Sequence, residues 1–271
     1  MRLGLCLRFA IALLALFLVA SPLWSYGGRV RAHTTYVPLV AGAPAPPADE
    51  CDSLPDQSYC SLTVNGAPTV APAAEHPDLN PALRGYTAAV GQYVGLIDNC
   101  YTRPDDAKAP QLRGLFADHR KPTVLGVYWI YQWDWNRDRP ATAVENTWGP
   151  SFVTLATTPC EILSVPPSGY EIDGDQGLEV LVLYAGEDWI TLKYTREDNV
   201  LYGYTLHLQG VWVDPALLAL YNTLEAAGRD QLPALRAGQP FARARGTALG
   251  LSIRDCGGWM DPRNCADWWR Q

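Results

Sequence analysis

Residues 123–135, TVLGVYWIYQWDW, alternate so that Val127, Trp129, Tyr131, Trp133 and Trp135 share one side and Tyr128, Ile130, Gln132 and Asp134 the other. β-Branched and aromatic residues at period two predict a strand packed in a sheet. Phe152–Ala156 predicts a further short strand. Beyond Gly169 turn signals recur at short intervals, at Asp173-Gly174, Ala185-Gly186 and Glu197-Asp198-Asn199. The apolar stretches between them, LEVLVLY, WITLKY and VLYGYTLHLQGVWV, read as an antiparallel meander. One segment changes period. Leu217, Leu220, Tyr221 and Leu224 recur at helical spacing behind Asp214-Pro215, a capping residue followed by a proline suited to the first turn, and Gly228 ends the helix. After Arg236-Ala237-Gly238 the chain returns to strands, so the expected class is mainly β with one inserted helix.

The remaining pattern divides the chain. Residues 1–25 place Arg2 and Arg8 ahead of a short charge-free apolar run at 9–20, the form of an export signal; an uncleaved anchor is the alternative. Residues 26–50 are expected to be a tether, because 36–50 (YVPLVAGAPAPPADE) is dominated by Pro and Ala. Residues 51–155 are expected to form a smaller, disulfide-containing irregular α+β region carrying the aromatic strand, with a short helix opening at Asn80-Pro81. Residues 156–271 are expected to form a β domain.

Six of the seven cysteines follow the signal: Cys51, Cys60, Cys100, Cys160, Cys256 and Cys265. An even number in an exported chain suits disulfides. Cys51 with Cys60 and Cys256 with Cys265 could close small loops, leaving Cys100 to Cys160, one of many possible connectivities. Cys-x-x-Cys is absent, as are Gly-x-Gly-x-x-Gly and Walker patterns, so no cofactor is expected. A net charge of -7 without a dense Lys/Arg run argues against nucleic acid. Membrane contact is expected only through the N-terminal segment, if it is retained.

Residues 235–262, LRAGQPFARARGTALGLSIRDCGGWMDP, follow a recognisable order: a Gly-Gln-Pro turn, a strand, a small-residue loop, a second strand and a Gly-Gly turn. Ala237-Gly238-Gln239-Pro240-Phe241, Tyr204-Thr205-Leu206-His207-Leu208 and Met260-Asp261-Pro262 resemble segments of lysostaphin-type peptidoglycan endopeptidases. The resemblance implies a barrel-sandwich domain of the duplicated hybrid motif type, with His207 in the place of an active-site histidine. That family holds zinc with an early His-x-x-x-Asp and a later His-x-His. Here the later pair reads Gly250-Leu251-Ser252, and the histidines are His33, His76, His119 and His207 alone. Gly and Ser cannot replace imidazole donors, so the expectation is a degenerate peptidase without metal.

Candidate binding residues are therefore Trp133, Trp135, Tyr204 and His207, with a cell-envelope glycan or protein as the expected partner. A lone strand histidine is ordinarily structural, and an aromatic strand face ordinarily packs in a core. An alternative centres on Asp134, with Asp138 and Glu145, as the carboxylates of a glycan hydrolase; solvated surface charge is the simpler explanation of them. A structural envelope scaffold is a further alternative. Residues 173–179 faintly resemble a calcium loop, which a hairpin turn explains without an ion. Ser61, Ser168 and Ser252 have no activating context.

Overall fold

The computed structural model describes residues 51, 54–55, 57–70, 72–97, 107–174 and 176–270. The expected signal, the tether, Cys6, His33 and Cys100 lie outside them. In chain order the strands are β1 (Cys60–Thr63), β2 (Tyr86–Ala88), β3 (Val124–Asp134), β4 (Arg139–Val144) and β5 (Phe152–Ala156). They continue as β6 (Ile162–Ser164), β7 (Leu178–Ala185), β8 (Trp189–Lys193), β9 (Tyr204–Gln209) and β10 (Val211–Val213). Helix α1 (Pro215–Ala226) precedes β11 (Gln231–Arg236), β12 (Pro240–Ala244), β13 (Ala248–Asp255) and β14 (Gly258–Met260), and the short α2 (Cys265–Trp268) closes the chain. The protein is mainly β. Among the described residues no helix is long and apolar enough to cross a membrane.

An eleven-stranded antiparallel sheet runs β1-β11-β7-β8-β9-β13-β5-β3-β2, with β14 added to β13 and β4 to β3. A second sheet runs β10-β12-β6. Strands β7, β8 and β9 form the expected meander. The large sheet is continuous across position 155, where a division between two regions was expected: β5 pairs with β13 on one side and β3 on the other. The described residues all fall within one compact unit.

The helix forms as its sequence dictates. The Asp214 carboxylate accepts from Ala216 N at 2.9 Å and Leu217 N at 3.3 Å, satisfying two amides that lack helical partners. The Asn80-Pro81 signal gives a single 3-10 turn, Pro81–Leu83. The stretch 134–145, expected as a loop, is instead a hairpin. Asp134 pairs with Arg139 across it, and Pro140 is tolerated because β4 lies at an edge.

Period two sorts the central strands into two faces. Ile190, Leu192, Leu206, Leu208, Leu251, Ile253, Val153 and Leu155 point into the main core, with Phe241, Trp268 and Trp269. The other face carries Thr191, Lys193, Thr205, His207, Ser252 and Arg254, and all of them are buried.

The cysteine pairing differs from expectation. Cys51 bonds Cys160, and Cys60 is a free exposed thiol on β1. The sheet explains it: pairing of β1 with β11 sets the Cys60 Sγ against Ala234 O at 3.7 Å, committing that residue to a ladder. Cys256 and Cys265 are also disulfide-bonded.

Behind the sheet, Arg229 joins α1 to two loops. Its Nε and Nη2 grip both oxygens of Asp198 at 2.8 and 2.5 Å, and Nη2 also donates to Leu183 O at 2.9 Å. Asp198 in turn accepts from Thr69 N at 2.8 Å. Both side chains are buried, so removing the carboxylate leaves a buried guanidinium with Glu225 as its remaining carboxylate partner rather than deleting a surface contact. We expect Asp198→Ala to lose about 3–5 kcal/mol of unfolding free energy in chemical denaturation, and a loss under about 1 kcal/mol would contradict the assignment.

Candidate functional site

The buried polar face is built in three rows. Thr191, His207 and Ser252 are cross-strand neighbours on β8, β9 and β13; Lys193, Thr205 and Arg254 form the next row; Gln209, Gly250 and Thr154 form a third. A segment from His76 to Ala88 lies over them. Leu79 O accepts from Thr191 Oγ1 at 2.7 Å, and Tyr86 Oη donates to Gln209 Oε1 at 3.2 Å. Tyr86 stacks on Phe152 with ring centroids 4.4 Å apart.

Thr191 fixes the state of His207. Its single hydroxyl proton goes to Leu79 O, so its oxygen must accept from His207 Nδ1 at 2.9 Å. The proton therefore sits on Nδ1, and Nε2 is a bare, buried nitrogen without a protein hydrogen bond, as are Ser252 Oγ and Trp259 Nε1. Burial first, then Arg254, Arg84 and Lys193, hold this imidazole well below the ordinary histidine range, against Asp78. Burial likewise lowers the Lys193 ammonium to about 7. Its Nζ donates to Tyr202 O and lies 3.5 Å from Thr205 Oγ1.

The charge centre is Asp78. Its Oδ1 accepts from Arg84 Nη2 and Arg254 Nη1, each at 2.7 Å. Burial works to raise this carboxyl, but Arg254 and then Arg84 outweigh it and hold it below the usual carboxylate range. Arg84 also lies 3.7 Å from Glu145. Arg254 donates from Nε and Nη2 to Gly257 O at 2.9 and 2.6 Å, and its guanidinium lies 4.5 Å from the centroid of the Trp259 ring. His207 also packs near Trp259, with ring centroids 5.4 Å apart.

Arg254 thus reaches the surface through the β13–β14 turn. Asp255 pairs with Gly258 around Cys256 and Gly257, whose φ angles of 45° and 84° are those of a tight primed hairpin. Above it lies a depression of about 230 Å³ lined by Glu145, Thr147, Trp148, Gly257, Gly258 and Trp259. Trp148 is 63% exposed and Trp259 only 5%, so one indole projects as a wall and the other forms the floor. Aromatic surface with one carboxylate and one hydroxyl suits a ring that has an apolar face and a polar edge.

The residues singled out in the sequence do not converge. Tyr204 and His207 sit on opposite faces of β9; Tyr204 packs edge-on against Trp268, with centroids 5.6 Å apart. Trp133 is half-buried in the β3–β4 hairpin, and exposed Trp135 meets the edge of His76 at 5.9 Å. Asp134 caps its own turn, accepting from Asn136 N, Arg137 N and Arg137 Nη1 at 3.1, 3.2 and 2.8 Å. The Arg137 hydrogen bond holds its carboxyl below the usual range, which favours the ionised form over a proton donor. Asp173 binds the amides of Gln176 and Leu178, which makes the calcium-like loop a turn. Missed altogether were Asp78, Arg84, Trp148, Arg254 and Trp259; the Gly257-Gly258 turn was the one local signal for them.

Zinc does not fit the His207 row. Among the described residues no three His, Cys, Asp or Glu side chains gather. A Cβ on Gly250 would stand 2.4 Å from Phe152 Cζ, so that ring fills the space another donor would need. Two guanidiniums and an amine surround the remaining imidazole, a setting that repels a dication. Comparison with family models, curated proteins and solved structures finds no match to this chain.

Two outcomes follow. Gly250→Ala should cost about 1–3 kcal/mol by overpacking, measured by denaturant melts. His207 is neutral when folded and protonates near 6.5 when unfolded, so its contribution is present above about pH 6.5 and lost as pH falls below it. Wild-type stability should drop about 1.4 kcal/mol per pH unit more steeply than that of His207→Gln between about pH 6.5 and 5.

Proposed function

We propose that this chain is an exported, non-catalytic binding module that takes a cell-envelope glycan in the depression between Trp148, Glu145 and Trp259. The carrying observation is the continuous polar chain Glu145···Arg84···Asp78···Arg254···Gly257 O, which ties the two walls of the depression through buried groups. A site so braced meets its ligand without paying to order loose side chains. Its projecting indole offers a stacking face, while Glu145 and Thr147 offer hydrogen bonds to hydroxyls.

The reading of a degenerate lysostaphin-type peptidase rests on the sequence resemblance, which puts its lost ligands at Gly250 and Ser252 on the strand beside His207. In that reading the former metal site has become a packed underside that supports a surface site. The disulfides support export into an oxidising compartment.

Binding to purified cell-wall glycan, measured by co-sedimentation and calorimetry, should weaken about tenfold or more in Trp148→Ala with the fold intact by circular dichroism. Metal analysis of the same preparation should find no stoichiometric zinc. Unchanged affinity in the variant would remove the site, and one tightly held zinc per chain would remove the non-catalytic reading.

A further inference from the structure

The depression does not end at its own rim. Cys256 N donates to Gly203 O at 3.1 Å, stitching the β13–β14 turn to the loop before β9. A Cβ placed on Gly257 would lie 3.6 Å from Leu201 Cδ2, and one on Gly258 would lie 3.9 Å from Trp148 Nε1. The two glycines therefore form a saddle with Trp148 and Leu201 within van der Waals reach on either side. Leu201 and Tyr202 are 59% and 51% exposed, so apolar surface continues on the far side.

Size argues that both sides are used. A depression of about 230 Å³ is below the roughly 300–1,000 Å³ that encloses a small ligand. A ligand seated there gains further buried surface only by running along the protein. Gly257 and Gly258, which carry no side chains of their own, lead from it toward Leu201 and Tyr202. The saddle is rigid: Arg254 holds Gly257 O from beneath, and Tyr202 O is held by Lys193 Nζ. Platform and saddle are thus anchored to the same buried row of Lys193, Thr205 and Arg254.

We infer, on the footing of the function proposed above, that the ligand is a linear glycan several sugars long, crossing the Gly257–Gly258 saddle from Trp148 to Tyr202. Trp148 receives one ring and Tyr202 another. A single sugar or disaccharide occupies only the first platform.

Calorimetry with β-1,4-linked N-acetylglucosamine di-, tetra- and hexasaccharides tests this on the full exported chain. Wild-type affinity should rise about tenfold or more from di- to tetrasaccharide. Tyr202→Ala should erase that gain and leave disaccharide binding unchanged, whereas Trp148→Ala should weaken every length. Tyr202→Phe should keep the gain. Equal affinity for all lengths, with Trp148→Ala still damaging, would overturn the extended site and leave the binding function standing. No binding of any length by wild type would overturn both.

Discussion

One carboxylate governs this architecture. Asp78 lies between two buried guanidiniums, Arg84 from the covering segment and Arg254 from β13, and accepts from both. Two such cations side by side under a cover would repel each other and force water between the layers. With Asp78 between them, the 76–88 segment closes over a sheet face that is polar along its length. Everything nearby inherits this: Thr191 finds Leu79 O, Tyr86 reaches Gln209, and Trp259 packs near Arg254 and His207.

Much of the local structure was legible because it is written in short-range patterns. Alternation marked β3, β5 and the β7–β9 meander, and Asp214-Pro215 marked the start of α1. What could not be read was long-range. Thr191, Lys193, Thr205, His207, Ser252 and Arg254 sit where period two places outward residues, and such residues normally face water. Their cover comes from far away in the chain: Asp78 and Arg254 are 176 positions apart. The cysteines teach the same lesson. Loop-closure entropy grows slowly with length, so nearness in sequence is a poor guide, and Cys51 finds Cys160 across 109 positions.

The candidate site was legible only in part. His207 and Ser252 were brought together by sequence reasoning, and the strand register sets them opposite each other. The side chains of the aromatic strand are shared between the main core, the Tyr86–Phe152 stack and a hairpin edge where Trp135 stays exposed. Trp148 and Trp259 lack any periodic signature: one lies in a loop and the other in a three-residue strand. They become a site only when the Gly257 turn and Glu145 are drawn together by the arginines beneath.

The Cys51–Cys160 bridge bears on how this fold carries a load. Tension applied through the residues before Cys51 enters at Cys160, ahead of β6, and bypasses β1. Strand β1 is an edge of only four residues, the part of the large sheet most easily unzipped by an end-on pull. With the covalent shortcut in place the force arrives at the turn ahead of β6, and the outermost ribbon stays slack.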